Sequence, residues 1–321
     1  MLESLPEEII LPSVVEQIIH PLFIERNIKV SIKRDDRIHQ LISGNKWRKL
    51  SLNCEKCNKE HYDGMLTFGG AFSNHIRATA AAGKLLGIKT IGIIRGNELN
   101  PASNETLRAS ARDGMKLVFT SREEYDLRNE KYYQEELRRR YGNYLVVPEG
   151  GANYYGVLGC VDIVAELSEH YDHIILPCGT GTTAAGILLG SADTRVIGIP
   201  VLKNGRFLMV EIERLLFECG LTPSDIRELL HELVLETDYH FGGYAKYNDD
   251  LIDFINRTYE ETGIPLDQVY TGKMFYALMD MVRQGKFEEG ATILVLHTGG
   301  LQGSDPVKER LSWWNDVMLN S

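Results

Sequence analysis

Short apolar runs punctuate the chain, separated by longer stretches in which apolar residues return every third or fourth position. The runs fall at 28–32, 65–68, 90–94, 116–119, 144–147, 173–176, 196–199 and 292–296, each of strand length and strand composition. Helical spacing occupies 73–86, 104–113, 122–140 and 154–168. Strands alternating with helices predict βαβ units and a mostly parallel sheet covered on both faces. Residues 174–176 and 293–296 are nearly all apolar, as strands buried on both faces must be. No internal repeat and no low-complexity linker interrupts the pattern. Two domains without a linker imply that one is inserted in the other or that they share a tight cleft. Ligands of such folds bind outside the carboxyl ends of the strands, so the residues just after each strand carry the chemistry.

Composition narrows the class. At 321 residues, 43% hydrophobic and 25% charged, the chain suits two globular domains or one large one. Its net charge of -10 argues against binding a nucleic-acid phosphate backbone. No apolar run reaches the length of a membrane helix. Residues 1–10 carry Glu3, Glu7 and Glu8 and no basic side chain, unlike a secretory signal. A cytoplasmic protein with no membrane partner is expected. The five scattered cysteines, Cys54, Cys57, Cys160, Cys178 and Cys219, read as reduced thiols. Cys54 and Cys57 form a CxxC with His61 nearby but no second pair, so they are expected to be surface cysteines at the end of a helix, with no metal.

Glycine clusters after four strands. These turns are Gly69-Gly70-Ala71-Phe72-Ser73-Asn74-His75, Pro148-Glu149-Gly150-Gly151-Ala152-Asn153, Pro177-Cys178-Gly179-Thr180-Gly181-Thr182-Thr183 and His297-Thr298-Gly299-Gly300. Tight turning alone explains one or two of them. It does not explain why hydroxyl residues accompany glycine in three. Gly179, Thr180, Gly181, Thr182 and Thr183 precede a helix whose positive end and free N–H groups suit a phosphate. No Gly-Lys-Ser/Thr follows, so this is not a P-loop. Ala184 stands where a dinucleotide fingerprint has its third glycine, and the next strand brings no ribose-binding acid. A single phosphate fits best.

Lys46 opens another helix, after Ser43-Gly44-Asn45 and before Trp47-Arg48-Lys49-Leu50. Cations at a helix N-terminus oppose the macrodipole, so something else must hold them there. A desolvated lysine forms Schiff bases with carbonyls. A lysine beside a one-phosphate cradle points to pyridoxal 5'-phosphate.

Taken together, in order and over nearly the whole chain, these motifs resemble one family. They are Lys33-Arg34-Asp35-Asp36, Gly44 to Leu50, Gly69 to Ala78, Pro148 to Asn153, Gly179 to Thr183, Val269-Tyr270-Thr271-Gly272-Lys273 and His297 to Gly300. The chain is similar to the 1-aminocyclopropane-1-carboxylate deaminase and D-cysteine desulfhydrase family of pyridoxal-phosphate enzymes. The resemblance implies a tryptophan-synthase-β-like fold (fold type II), with two three-layer α/β domains and mostly parallel sheets. It implies a small inserted domain at 48–155 within a large cofactor-binding domain at 1–47 and 156–321, and a homodimer.

The resemblance also implies roles. Lys46 holds the cofactor covalently and moves protons. Asn74 meets the cofactor's ring oxygen, and 179–183 its phosphate. Ser73 holds the carboxylate of a small amino-acid substrate or acts as nucleophile. Tyr270 assists proton transfer, with Tyr244 as a second tyrosine and His75 beside the site. Deaminases of this kind carry Glu after the active-site Tyr and Leu before the final Gly-Gly; here Thr271 and Thr298 stand there. A carboxylate at the pyridine nitrogen holds the ring proton and strengthens the electron sink, whereas a hydroxyl does not. Opening a cyclopropane needs the stronger sink. α,β-Elimination of a good leaving group needs less, so D-cysteine desulfhydration is favoured over cyclopropane deamination. A binding protein without turnover is the alternative of another class; Lys46, Ser73 and Tyr270 count against it.

Overall fold

The computed structural model describes residues 6–42 and 44–318. Ser43 of the lysine motif lies outside the described residues. Ten strands form two sheets: β1 (Val15–Ile18), β2 (Lys29–Lys33), β3 (Gly64–Gly69), β4 (Thr90–Arg95), β5 (Lys116–Thr120), β6 (Tyr144–Val147), β7 (His173–Cys178), β8 (Arg195–Pro200), β9 (Leu233–Leu235) and β10 (Thr292–Leu296). The larger sheet runs β1-β2-β10-β7-β8-β9 and the smaller β5-β4-β3-β6. Every pairing is parallel except β1 with β2. The fold is thus the expected α/β class with parallel sheets.

The apolar run of β10 has a direct cause. Ile293 and Val295 enter one core, with Ile32, Met274, Phe275 and Leu278. Leu294 and Leu296 enter the other, with Ile174, Leu176, Ala184 and Ile187. A strand covered by helices on both faces has no polar side. In the smaller sheet, Leu66, Phe68, Ile91 and Ile93 meet Tyr125, Tyr133 and Leu137 on one face. On the other, Ile76 and Ala80 of the helix Asn74–Leu86 meet Ile94.

The structure departs from the pattern in four places. β1 carries polar Glu16 and Gln17 in its four residues, and β9 has only three, so neither shows an apolar run of strand length. The 122–140 stretch is two helices, Arg122–Asp126 and Lys131–Tyr141, broken where Glu130 turns extended. The helix expected over 154–168 ends at Ala165. Cys54 and Cys57 are not surface residues: both are buried in the helix Asn45–Lys59, and Cys54 packs on the Met65 sulfur. As small apolar groups they fill its core-facing stripe.

Three helices stack near the chemistry. A Cβ on Gly159, in the helix Tyr154–Ala165, would stand 1.9 Å from the Arg48 carbonyl. Only glycine permits that approach, which draws the helix carrying Lys46 and Lys49 close to its neighbours.

The basic start of that helix is partly resolved by ion pairing. Arg48 donates to both carboxylate oxygens of Asp35 (Nε and Nη2, each 2.8 Å) and to both of Glu166 (Nη1 and Nη2, each 2.8 Å). Lys33 also donates to Glu166 at 2.8 Å, and the Ser13 hydroxyl donates to Asp35 at 2.7 Å. Buried charges of this kind persist because each is matched and hydrogen-bonded.

Candidate active site

Lys46 sits on a backbone that admits one residue type before it. Gly44, the N-cap, has φ +70°, and a Cβ there would lie 1.7 Å from the Thr298 carbonyl oxygen. The Gly44 N–H donates to the Asp35 carbonyl (2.9 Å) and the Asn45 N–H to the Thr298 carbonyl (3.3 Å). The loop after β10 therefore clamps the helix start. The Lys46 ammonium donates to Asn45 Oδ1 at 2.8 Å, and Asn45 Nδ2 donates to Thr183 Oγ1 at 2.8 Å. Burial, then the neighbouring Lys49, lowers the Lys46 pKa to about 7. Its amine is poised to hold or release a proton near neutrality.

Lys49 is one helical turn on and faces the same way. It is buried, its pKa lowered by burial, and the groups acting on it are the thiols of Cys160 and Cys178 rather than a carboxylate. Cys178 ends β7 and leads into the 179–183 loop. There Gly181 caps the helix Thr182–Gly190 with no side-chain bond to its first N–H groups, and the Thr180 and Thr182 hydroxyls are 3.0 Å apart. An uncapped helix end, buried hydroxyls and an unmatched cation together make a site for a dianion.

The loop after β3 supplies the opposite wall. Ser73 Oγ accepts the Ile76 N–H at 3.2 Å as N-cap of the helix Asn74–Leu86. Asn74 reaches across to the other sheet's loop: its side-chain nitrogen lies 2.8 Å from a Cβ on Gly300 and its oxygen 3.1 Å from one on Gly303. His75 turns into the smaller sheet, with Nε2 2.8 Å from Thr67 Oγ1. Thr67 spends its own proton on the Val147 carbonyl (2.8 Å), which assigns the hydrogen to Nε2. Nδ1 is left buried with no partner. Burial, then Lys46 and Lys49, lowers the His75 pKa to about 3, so the ring is neutral.

Tyr270 lies against Gly179, its ring 3.3 Å from where a Cβ there would be. Tyr244 packs edge to face on it, with centroids 6.1 Å apart and planes at 74°. Burial holds the Tyr270 phenol well above its ordinary pKa, so it stays a donor. Thr298 is buried at the helix clamp. The Thr271 hydroxyl donates to Asp267 Oδ1 at 2.7 Å and accepts the Asp267 N–H at 2.9 Å.

Three residues escaped sequence reasoning. Asn45 couples Lys46 to the 179–183 loop. Lys49 was legible only as the i+3 partner of Lys46 on one helical face. Asp267 accepts the N–H groups of Val269, Tyr270 and Thr271, each at 2.8 Å, besides the Thr271 hydroxyl. Its signal was an acid just before a helix start.

The chain matches the family model described as pyridoxal-phosphate dependent enzyme over residues 19–299. A putative 1-aminocyclopropane-1-carboxylate deaminase of Pyrococcus horikoshii is 35% identical over 289 residues, covering 86% of this chain and 85% of that protein. The bifunctional D-cysteine desulfhydrase/1-aminocyclopropane-1-carboxylate deaminase, mitochondrial, of Arabidopsis thaliana is 31% identical, covering 85% and 72%. A crystal structure of an ACC deaminase homologue superposes with a TM-score of 0.78 at 32% identity, covering 95% of each chain. The buried lysine pair, the uncapped phosphate-type helix end and these likenesses agree: the chain belongs to the pyridoxal-phosphate-dependent enzymes, among the 1-aminocyclopropane-1-carboxylate deaminases and D-cysteine desulfhydrases.

Proposed function

We propose that this enzyme eliminates a β-substituent from a small amino acid, acting as a D-cysteine desulfhydrase. D-cysteine and water then yield pyruvate, hydrogen sulfide and ammonia. The reading rests on Thr271 and Thr298, which stand where deaminases of this family carry Glu and Leu. The Thr271 hydroxyl already gives its proton to Asp267, so it has none to offer a ring nitrogen.

The residues fit the cofactor. Lys46 is the amine for covalent attachment, and the 179–183 loop with Lys49 is the phosphate seat. Asn74 is the partner of the ring oxygen. Bound pyridoxal 5'-phosphate supplies an electrophilic carbonyl and an electron sink for a carbanion at the substrate α-carbon. Lys46, with a pKa of about 7, takes the α-proton at Nζ and later returns one. Ser73 keeps its own hydroxyl proton after capping the helix and donates it to the substrate carboxylate, with the N–H groups at that helix end. Tyr270, held protonated, donates to the departing β-group, and Tyr244 packs that phenol in place. His75 borders this site as a neutral ring.

Residues 48–155 form the smaller, inserted domain and 1–47 with 156–321 its host, in a cytoplasmic homodimer. The contact between Asn74 and the loop after β10 supports a cleft that closes over substrate and excludes water.

Purified enzyme should show the visible band of lysine-bound cofactor, lost in Lys46→Ala. It should release pyruvate and sulfide from D-cysteine. Strong 2-oxobutyrate from 1-aminocyclopropane-1-carboxylate without sulfide from D-cysteine would overturn the Thr271 argument in favour of ring opening.

A further inference from the structure

One cation at the cleft is unmatched and unused by the chemistry above. Arg95 ends β4, beside the strand that leads into the Ser73 loop. Its Nη2 lies 3.8 Å from where a Cβ on Gly70 would stand. Two arginines share the ring of Tyr125, Arg95 at 5.8 Å and Arg128 at 4.8 Å from its centroid. Arg128 is neutralised by Glu149 at 2.9 Å. Arg95 has no carboxylate and no hydrogen-bond acceptor among the described residues, in a chain whose net charge is -10. It is solvent-accessible, so its five donors are free.

Gly70 opens the loop that carries Ser73, so Arg95 stands beside the wall assigned to the substrate carboxylate. Burial raises the Tyr244 phenol's pKa, the Glu149 and Asp267 carboxylates add to the rise, and Arg95 opposes it weakly. Tyr244 in turn packs on Tyr270. A guanidinium steadied on an aromatic ring and left without an acid suits a planar or tetrahedral anion. The substrate's α-carboxylate already has Ser73 and a helix end.

We propose that Arg95 is a specificity residue that extends the range of expelled β-groups from sulfide to anionic ones: a sulfonate, a phosphate or a thiosulfate. The proposal rests on the lyase reading above.

The test compares pyruvate release by the holoenzyme from β-chloroalanine, a neutral probe, and from O-phosphoserine and cysteine S-sulfonate, anionic probes, each as both enantiomers. The ratio of kcat/KM, anionic over neutral, should fall about 30-fold or more in Arg95→Ala, as loss of a charge-assisted bidentate contact predicts. It should fall less in Arg95→Lys and further in Arg95→Glu. A ratio unchanged within threefold overturns the proposal; it would mean that Arg95 serves the α-carboxylate or the fold. Turnover of D-cysteine but of no anionic probe overturns the proposal; if the wild type turns over neither the probes nor D-cysteine, the lyase reading fails, and Arg95 is judged by binding instead. Aspartate and alanine are then titrated against the visible band. Weakening of aspartate relative to alanine by tenfold in Arg95→Ala supports the anion site, and parallel behaviour overturns it.

Discussion

At the residue scale, the site is defined by charges left unmatched. Lys46, Lys49 and the neutral His75 share a buried region and have no hydrogen-bonded carboxylate among the described residues, whereas neighbouring Arg48 is paired with Asp35 and Glu166. This sets a pH dependence for the cofactor-free protein. Lys46 has a folded pKa of about 7, below its ordinary 10.5. Between those values the unfolded chain binds more protons, so stability rises with pH across that window. His75, at about 3 against 6.5, adds a second rise across its own window, from acid toward neutrality. The urea midpoint of cofactor-free enzyme should therefore climb from pH 6 to pH 9, and Lys46→Met should flatten that climb. A slope unchanged in Lys46→Met would show that the lysine is not desolvated.

The sequence disclosed much at this scale. Gly44, Lys46, Ser73, Asn74 and the 179–183 loop are motif residues, and the structure brings their loops together. It could not disclose that the Thr271 hydroxyl bonds Asp267, because that depends on how one turn folds back on itself. Nor could it show that the His75 ring turns toward Thr67, since a loop histidine has no periodicity to fix its direction.

At the element scale, Asp267 anchors the turn that leads into the helix Thr271–Arg283. It accepts three backbone N–H groups, of Val269, Tyr270 and Thr271, the last of them the first donor that the helix start leaves orphaned. One of them belongs to Tyr270, so the same carboxylate fixes where that phenol stands. Asp267→Asn should cost about 1–3 kcal/mol by the measures of lost caps and unmet donors. It should lower kcat more than it weakens cofactor retention. Thermal unfolding of the holoenzyme and single-turnover kinetics separate these effects; loss of stability at full kcat would make Asp267 purely structural. Lys273, on the same helix, donates to the His240 and Gly243 carbonyls at 2.9 and 2.8 Å and so ties down the segment presenting Tyr244. Long, strongly patterned elements were legible in the sequence, as β10 and the helix Asn74–Leu86 show. The break at Glu130 was not, because both halves keep helical spacing and the interruption comes from packing.

At the scale of the whole molecule, the two sheets meet through loops rather than a shared strand. Gly150, after β6, presses on Thr180, after β7, and Asn74 presses on Gly300. Around the antiparallel edge strand β1 lie exposed Ile10, Val14, Val15, Ile19 and Ile24. A patch of this kind marks an interaction surface, and the proposed homodimer gives it an occupant. Light scattering should report a dimer, and Ile19→Glu with Ile24→Glu should yield monomer of unchanged helical content. A wild-type monomer at all concentrations would refute the dimer.

The pairing of β2 with β10 carries a consequence for how the protein comes into being. Lys29 sits beside Thr292, about 260 residues later, and Gly44 closes against Thr298. On a ribosome adding about 5–20 residues per second, β2 waits on the order of 10–50 s for its neighbour. The smaller sheet, drawn from one continuous stretch, can form during that wait. The proposed cofactor seat cannot, because the loop that clamps the start of the Lys46 helix follows β10. Pyridoxal phosphate therefore cannot template early folding of this chain. A nascent chain stalled before β10 is left with a finished small sheet and no working lysine clamp, which makes cofactor capture a mark of completed synthesis.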